Sequence, residues 1–347
     1  MADIVKAAIL GINSYLPGDP VTNADLASKF PEWSVERIAQ KTGIEQRHIA
    51  SSDECSSDLA REAARNLFAS GVCTPGEIDY LLFCTQSPDY FLPTTACLLQ
   101  QELGIPKGAG ALDFNLGCSG YVYGLGLAHG LIKSGQASRV LLLTAETYSK
   151  FLRPQDRSCV TIFGDGAAAT LIGAVPGDPE AERPVYIYGT DGSGSDHLIV
   201  KNGGMRQRCS TSAAGESVSA ACSDFLWMNG PEIFTFTLRV VPACIQELLK
   251  KAGKRMEDID LFVFHQANRY MLDHLRAKLR IPEEKFYVSL ASCGNTVSST
   301  IPLALQNASD EGRLKAGQQV MLVGFGVGFS WGATLLSWPF LGASNWS

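Results

Sequence analysis

One cysteine of this chain sits where a thiol could do chemistry. In DFNLGCSGYVYGLG (113–126), Cys118 stands where an apolar run gives way to small residues and glycines. The run 110–116 predicts a buried strand, and 119–134 predicts a helix stopped by Gly135. Cys118 is thereby expected at a strand-to-helix junction near the positive end of a helix dipole. That place lowers a thiol pKa and favours thiolate. The segment alone leaves two readings open, an activated nucleophile and a buried structural cysteine. A nucleophilic thiol also needs a general acid/base and a hydrogen-bond donor. His265 in HQAN (265–268) and Asn295 in CGNT (293–296) carry those functions, and an internal symmetry of the chain relates them to Cys118.

That symmetry is a repetition. PGEIDYLLFCTQ (75–86) is echoed by MEDIDLFVFHQA (256–267), each an acidic turn leading into a short apolar strand that ends in polar residues. QELGIP (101–106) is echoed by AKLRIP (277–282). RVLLLTAE (139–146) with FGDGAAATLIGA (163–174) is echoed by QQVMLVGFGVGFSWGATLL (318–336). The offset is roughly 180 residues, too long for a solenoid period and suited to a duplicated domain. The Pro- and acid-rich stretch 173–185 predicts the junction, leaving a first half at 1–175 and a second at 185–347. Strands alternate with helices predicted at 57–70, 119–134, 231–252 and 269–280, so each half is expected to be α/β with a buried sheet. Pro242 is expected to kink the third of these helices. Residues 191–224, rich in Gly and Ser, predict a long functional loop. Superposing the halves puts Cys118, His265 and Asn295 all at strand ends, which converge on one crevice in such sheets.

Composition narrows the function classes. The 347 residues suffice for a large core and two structural units. A net charge of −6 argues against a nucleic-acid surface. The N-terminus carries an acid early and turns at Gly11, which predicts a first strand and not a signal peptide. No apolar run approaches a membrane span. Ten cysteines are scattered without a CxxC pair or metal-ligand spacing. Cys55, Cys73, Cys84, Cys97, Cys159, Cys209, Cys222, Cys244 and Cys293 read mostly as reduced core residues of a cytoplasmic protein. The glycines at 324–328 do not form a dinucleotide fingerprint, and no GxSxG elbow surrounds Cys118. His48, His129, His197 and His274 read as structural or surface residues, and Asp165 as a turn residue.

Taken together, TNADLASKF, KTGIEQRHIA, GCSG, DRSCVTIFGDGAAA, HQAN, CGNT and GFGVGFSWGA occur in an order that resembles the thiolase superfamily, specifically β-ketoacyl-acyl-carrier-protein synthase III and its relatives, over essentially the whole chain. The resemblance implies an α/β thiolase-like fold, two duplicated halves in αβαβα layers. It implies an acyltransferase that runs a decarboxylative Claisen condensation in fatty-acid or secondary-metabolite synthesis. Cys118 would take an acyl group from acyl-CoA. His265 and Asn295 would hold the carbonyl oxygen of a malonyl thioester on acyl carrier protein, while carbon dioxide leaves and the enolate attacks the acyl-cysteine. Asn295 cannot take a proton, and would supply stabilisation without quenching the carbanion. The backbone N–H groups of Cys118 and Val327 would form the second oxyanion hole, with Gly324, Gly326 and Gly328 allowing close approach. Coenzyme A thioesters are substrates, and neither metal nor resident cofactor is implied.

The resemblance assigns finer roles as well. Arg157 matches the family arginine that binds coenzyme A, and Trp33 matches its aromatic partner with a longer spacing to the KTG motif. Asn268 would hold a water near the malonyl carbonyl. Arg269, Arg276, Lys278 and Arg239 would face an acidic carrier protein, although Tyr270 and Thr235 stand where the family has basic residues. A homodimer is implied, with DYFLPTTACLLQ (89–100) reaching across, and Leu92 standing where short-chain members have the phenylalanine that ends the acyl pocket. Other readings are transfer of the acyl group to an alcohol or amine, a type III polyketide synthase, and a non-catalytic partner of a heterodimeric synthase. Asn295 and Cys118 favour condensation over the first and last of these, and the type III enzymes usually have a longer chain.

Overall fold

The computed structural model describes residues 5–176, 184–208 and 224–339. Two five-stranded sheets carry the fold. The first contains β1 (Val5–Tyr15), β2 (Tyr80–Cys84), β3 (Gly110–Phe114), β4 (Arg139–Glu146) and β5 (Gly166–Pro176), in the order β1-β5-β4-β2-β3. The second contains β6 (Val185–Thr190), β7 (Leu261–Phe264), β8 (Phe286–Tyr287), β9 (Gln319–Gly326) and β10 (Ser330–Ser337), in the order β6-β10-β9-β7-β8. Reading each sheet from β1 or β6, the first two pairings are antiparallel and the last two parallel. The two sheets therefore share one topology, strand for strand.

The period-2 pattern of the strands assigns the layers. Leu82, Val140 and Leu142 of the first sheet, with Val263, Val320 and Leu322 of the second, pack on a common central cluster. That cluster is filled by α5 (Gly120–Lys133) and α9 (Thr300–Asp310), through Tyr121, Leu125, Ala128 and Ile132, and Ile301, Ala304, Leu305 and Ala308. The alternate residues Leu81, Phe83, Leu141 and Leu143 face outward onto α3 (Ser56–Ala69) and α4 (Thr95–Glu102). Phe262, Phe264, Met321 and Val323 face α7 (Gly230–Ala252) and α8 (Arg269–Leu279). The result is the αβαβα layering. The shorter helices α1 (Asn23–Lys29), α2 (Val35–Thr42) and α6 (Arg157–Val160) lie outside these layers.

Some expectations from the sequence are corrected. Gly11 does not turn the chain. β1 runs through it to Tyr15, and the register shifts between Ile9 and Gly11, a bulge that re-aims the strand. Pro242 does lie inside α7, as expected, and the helix runs on to Ala252. The loop expected at 191–224 holds a 3-10 turn at Gly192–His197, and Leu198–Ile199 pairs with Trp227–Met228. Its remainder at 209–223, with Cys209 and Cys222, lies outside the described residues. Cys97 is exposed and Cys55 half-buried, so those two are not core residues. Among the described residues, no helix is long and apolar enough to cross a membrane.

Leu305 is fully buried in the central layer, between the sheets of both halves. Leu305→Ala is expected to destabilise the fold by about 2–5 kcal/mol, measured as a lowered urea midpoint at unchanged slope. A loss under about 1 kcal/mol would mean that the layer closes over the cavity.

Candidate active site

Cys118 sits one residue before the N-cap of α5, 7 % exposed, on the wall of a cavity of about 380 Å3. The same cavity is lined by His265, Asn268 and Asn295, and its remaining walls are almost wholly apolar, among them Tyr148, Phe163, Leu198, Phe234 and Phe325. The three groups share one pocket, although Asn295 stands in the loop between the 3-10 turns Leu290–Ser292 and Val297–Ser299 and not at a strand end as expected.

The turn from β9 to β10 closes over the thiol. A Cβ on Gly326 would lie 2.9 Å from the Cys118 Cβ and 3.0 Å from its Sγ, so only glycine lets this strand pass. The turn is tied to the start of α5 by hydroxyls. Ser330 donates to the Val327 carbonyl at 2.8 Å, and its oxygen lies 2.7 Å from that of Ser119. Val327 packs in the same apolar cluster as Cys118.

His265 follows β7 and is held by its backbone N–H on the Val323 carbonyl at 2.8 Å. Its Nδ1 lies 2.7 Å from the Thr300 hydroxyl at the start of α9, and Phe325 stands edge-on to the ring. Asn295 is fixed on both sides. Its backbone bonds Ile162 and Gly164, and its Oδ1 accepts the Val297 N–H at 2.9 Å. The Nδ2 donors are therefore the part of the amide available to the cavity. This arrangement needs a tight loop. Gly294 has φ +70° with a Cβ position 2.8 Å from the Ile162 carbonyl, and Val297 holds φ +55°, a strained value for a β-branched residue. Asn268 uses its Oδ1 to cap α8 at Met271 N–H, 2.9 Å, which leaves its amide N–H groups on the cavity side.

Electrostatics correct one expectation. The helix start does not leave Cys118 acidic. Burial, with the Glu146 carboxyl as a second contribution, pushes the thiol up to about 12, against a smaller opposing pull from its own backbone N–H. Burial likewise drops His265 to about 3, so the imidazole is neutral at rest. Glu146, at the end of β4, is a residue that the sequence reading passed over. Its carboxyl accepts the Gln86 N–H at 3.2 and 3.0 Å, the Ser87 hydroxyl at 3.1 Å and the Ser298 hydroxyl at 2.8 Å. None of these partners is a cation, and burial raises it to about 8. It is the one charged side chain among the apolar residues that follow Arg139 in β4, which is the signal that could have found it.

The outer residues divide. Arg157 at the start of α6 is ion-paired with Glu32, the neighbour of Trp33, so these two lie at one place. The Trp33 ring is flanked by Arg37 at 5.5 Å and Lys41 at 5.2 Å. The expected basic face is largely self-neutralised: Arg269 pairs with Asp273 (2.9 Å), Arg276 with Glu283 (3.9 Å) and Arg239 with Asp191 (3.5 Å), while Lys278 is exposed. Tyr270 lines the cavity beside Phe234 and His274, with ring centroids 5.4 and 4.2 Å away. Leu92 is absent from the pocket of its own chain. It is 87 % exposed beside Phe91 at 77 % and Tyr90 at 62 %.

Comparison with known proteins places this geometry. Residues 112–192 match 3-oxoacyl-[acyl-carrier-protein (ACP)] synthase III, and residues 249–338 match its C-terminal part. The chain is 40% identical over 331 residues to β-ketoacyl-[acyl-carrier-protein] synthase III of Clostridium perfringens, covering 95% of this chain and 99% of that protein. A crystal structure of a 3-oxoacyl-(acyl-carrier-protein) synthase III superposes with a TM-score of 0.91 at 51% identity, covering 96% of this chain and 100% of the other. The 3-oxoacyl-(acyl-carrier-protein) synthase of Burkholderia xenovorans superposes at 0.89 with 36% identity, covering 97% of each chain. With the thiol, imidazole and amide on one cavity of a duplicated fold, and relatives matched from end to end, the chain belongs to the β-ketoacyl-[acyl-carrier-protein] synthase III family of condensing enzymes.

Proposed function

We propose that the chain condenses an acyl group taken from acyl-CoA with a malonyl thioester presented by acyl carrier protein, yielding a β-ketoacyl thioester for fatty-acid or secondary-metabolite synthesis. The observation that carries this reading is the shared cavity of Cys118, His265 and Asn295. In the first half-reaction the Cys118 sulfur attacks the acyl carbonyl. Its proton passes to His265 Nε2 and then to the departing coenzyme A thiolate. The Cys118 and Val327 N–H groups hold the oxyanion, and Gly326 brings them together. In the second, the Asn295 amide and His265 bind the malonyl carbonyl oxygen as carbon dioxide leaves. The two halves, 1–175 and 185–347, thus supply the nucleophile and the enolate donors respectively.

Trp33 and Arg157 grip coenzyme A in this reading, and Asn268 orients a water near the malonyl carbonyl. Lys278 with Arg239, Arg269 and Arg276 contacts the carrier, weakly, because the three arginines are already paired. The apolar cavity and the retained Asn295 amide favour condensation over transfer to an alcohol or amine. The enzyme works in the cytoplasm with reduced thiols, a reading supported by the eight free cysteines among the described residues.

The chain acts as a homodimer. Support comes from the edge strand β3, whose Leu112 is exposed, and from the exposed run Tyr90-Phe91-Leu92. Pairing the β3 edges would remove an open sheet edge and carry Leu92 onto the partner's acyl pocket. Leu92 leaves that pocket open to medium or branched chains.

Cys118→Ala is expected to abolish acylation and condensation, with peptide mapping placing the wild-type acyl adduct on Cys118 and not on Cys159 or Cys293. Asn295→Ala should slow decarboxylation far more than acylation when the half-reactions are timed separately, by about 100-fold or more. Equal losses in both would make Asn295 a structural residue.

The pH dependence of acylation follows from Glu146. With a pKa raised to about 8, Glu146 is neutral below pH 8 and becomes an anion above it, where its charge opposes thiolate formation at Cys118. Glu146→Gln cannot gain that charge. The variant should acylate at the wild-type rate near pH 6.5 and faster than wild type above pH 8. A constant ratio across the range would show that the carboxyl does not reach the thiol.

Light scattering should give a dimer. Leu92→Phe should shift kcat/KM from hexanoyl- and octanoyl-CoA towards acetyl-CoA, at about fourfold per methylene excluded. An unchanged chain-length profile would mean that Leu92 does not end the pocket.

A further inference from the structure

We infer that Thr300 is a positioning residue that locks the tautomer of His265, so that the one proton consumed by the condensation is held at Nε2, between the enolate oxygen and the Cys118 sulfur. The inference rests on the condensing reading above and concerns how one imidazole serves both half-reactions. The Thr300 hydroxyl donates to the Val297 carbonyl at 3.1 Å. Its single proton is thereby used, and its oxygen, 2.7 Å from His265 Nδ1, is left as an acceptor. With the hydroxyl proton given to Val297, Nδ1 carries the ring proton, and Nε2 is the lone-pair nitrogen facing the cavity. All three groups are buried, so water does not compete for either bond. The same Val297 donates its N–H to Asn295 Oδ1 at 2.9 Å. One strained residue therefore sets the direction of both enolate donors.

The proton balance follows from this orientation. In acylation the Cys118 proton passes to Nε2 and leaves with the coenzyme A thiol, as the C–S bond to Cys118 forms and the C–S bond to coenzyme A breaks. The ring returns to neutral, as its burial demands. The malonyl thioester then brings a carboxylate, and the solvent proton that accompanies it settles on Nε2, the only basic nitrogen that Thr300 leaves open. The resulting N–H faces the malonyl carbonyl. Carbon dioxide departs with the carboxylate oxygens, and its bonding pair moves to the enolate. The enolate carbon then attacks the acyl carbon. When the Cys118–acyl bond breaks, the sulfur takes the Nε2 proton and the resting thiol is restored. Asn295, whose amide N–H groups are too weakly acidic to be transferred, holds the oxygen throughout.

The test combines a spectroscopic readout with the half-reactions. In 15N-histidine-labelled resting enzyme, with His265→Asn as the blank, Nδ1 should show the protonated-nitrogen shift and Nε2 the lone-pair shift. Malonyl-CoA analogue that cannot decarboxylate, added to acylated enzyme, should move Nε2 to the protonated shift with uptake of one proton, read by calorimetry in two buffers. Thr300→Ser keeps the hydroxyl and should stay within about threefold of wild type in both half-reactions. Thr300→Val is isosteric, lacks the acceptor, and should lose tenfold or more in kcat of each at near-constant KM. Resting Nε2 found protonated, or a Thr300→Val variant with unchanged rates and spectrum, would overturn the inference. Should Thr300→Val fail to fold, the wild-type spectrum alone decides. Wild-type enzyme that forms no acyl-cysteine would instead overturn the condensing reading, and the resting tautomer would still be legible.

Discussion

The chemistry depends on a layer of helices that neither half could keep dry by itself. α5 offers Tyr121 and Leu125, and α9 offers Ile301 and Leu305, to one cluster shared by both sheets. Separated, each half would expose one face of its sheet and much of its central helix, at roughly 25 cal/mol for every Å2 of apolar surface. Association of the halves is therefore imposed by packing. Because the two topologies match, it sets the starts of both central helices near the ends of strands from both sheets. Cys118 precedes one helix, Thr300 begins the other, and His265 follows strand β7.

Dryness has one electrical consequence for every group in the cavity. Burial moves the thiol up to about 12, the imidazole down to about 3 and the Glu146 carboxyl up to about 8, in each case towards the uncharged form. The resting site is a set of neutral dipoles. An exposed active site would activate its thiol in advance. In the proposed acylation the attack and the proton transfer occur together, and charge appears only with the substrate. The same low dielectric makes each fixed donor stronger against a developing oxyanion than it would be in water.

Much of this was legible in the sequence, because it follows from periodicity. The alternation of strands 80–84 and 261–264, the four long helices and the repeated blocks all follow from side-chain spacing, and they locate Cys118, His265 and Asn295. Three things were not legible, each for its own reason. The dipole argument for Cys118 treated the helix start as if it faced water, whereas the β9–β10 turn buries it, and only three-dimensional packing reveals that. Glu146 hides in an apolar strand because its partners, Gln86, Ser87 and Ser298, are scattered over more than half the chain. The pairing of the arginines expected to face the carrier was hidden, since Arg269 and Asp273 meet only on a helix, and Arg239 and Asp191 only in the fold.

The strain in the Asn295 loop shows why this amide sits where it does. An amide free to rotate could present its oxygen to the enolate as readily as its nitrogen, and the wrong face would repel. Val297 prevents this by occupying Oδ1 with its own N–H, and it reaches that geometry only at φ +55°. Gly294, whose added Cβ would strike the Ile162 carbonyl, lets the neighbouring backbone close on the other side. A loop that costs on the order of 1–3 kcal/mol of backbone strain is retained because rotation of one side chain is thereby removed. In the proposed reaction the amide is then oriented before the charge forms, and no reorganisation is left for the moment at which carbon dioxide departs.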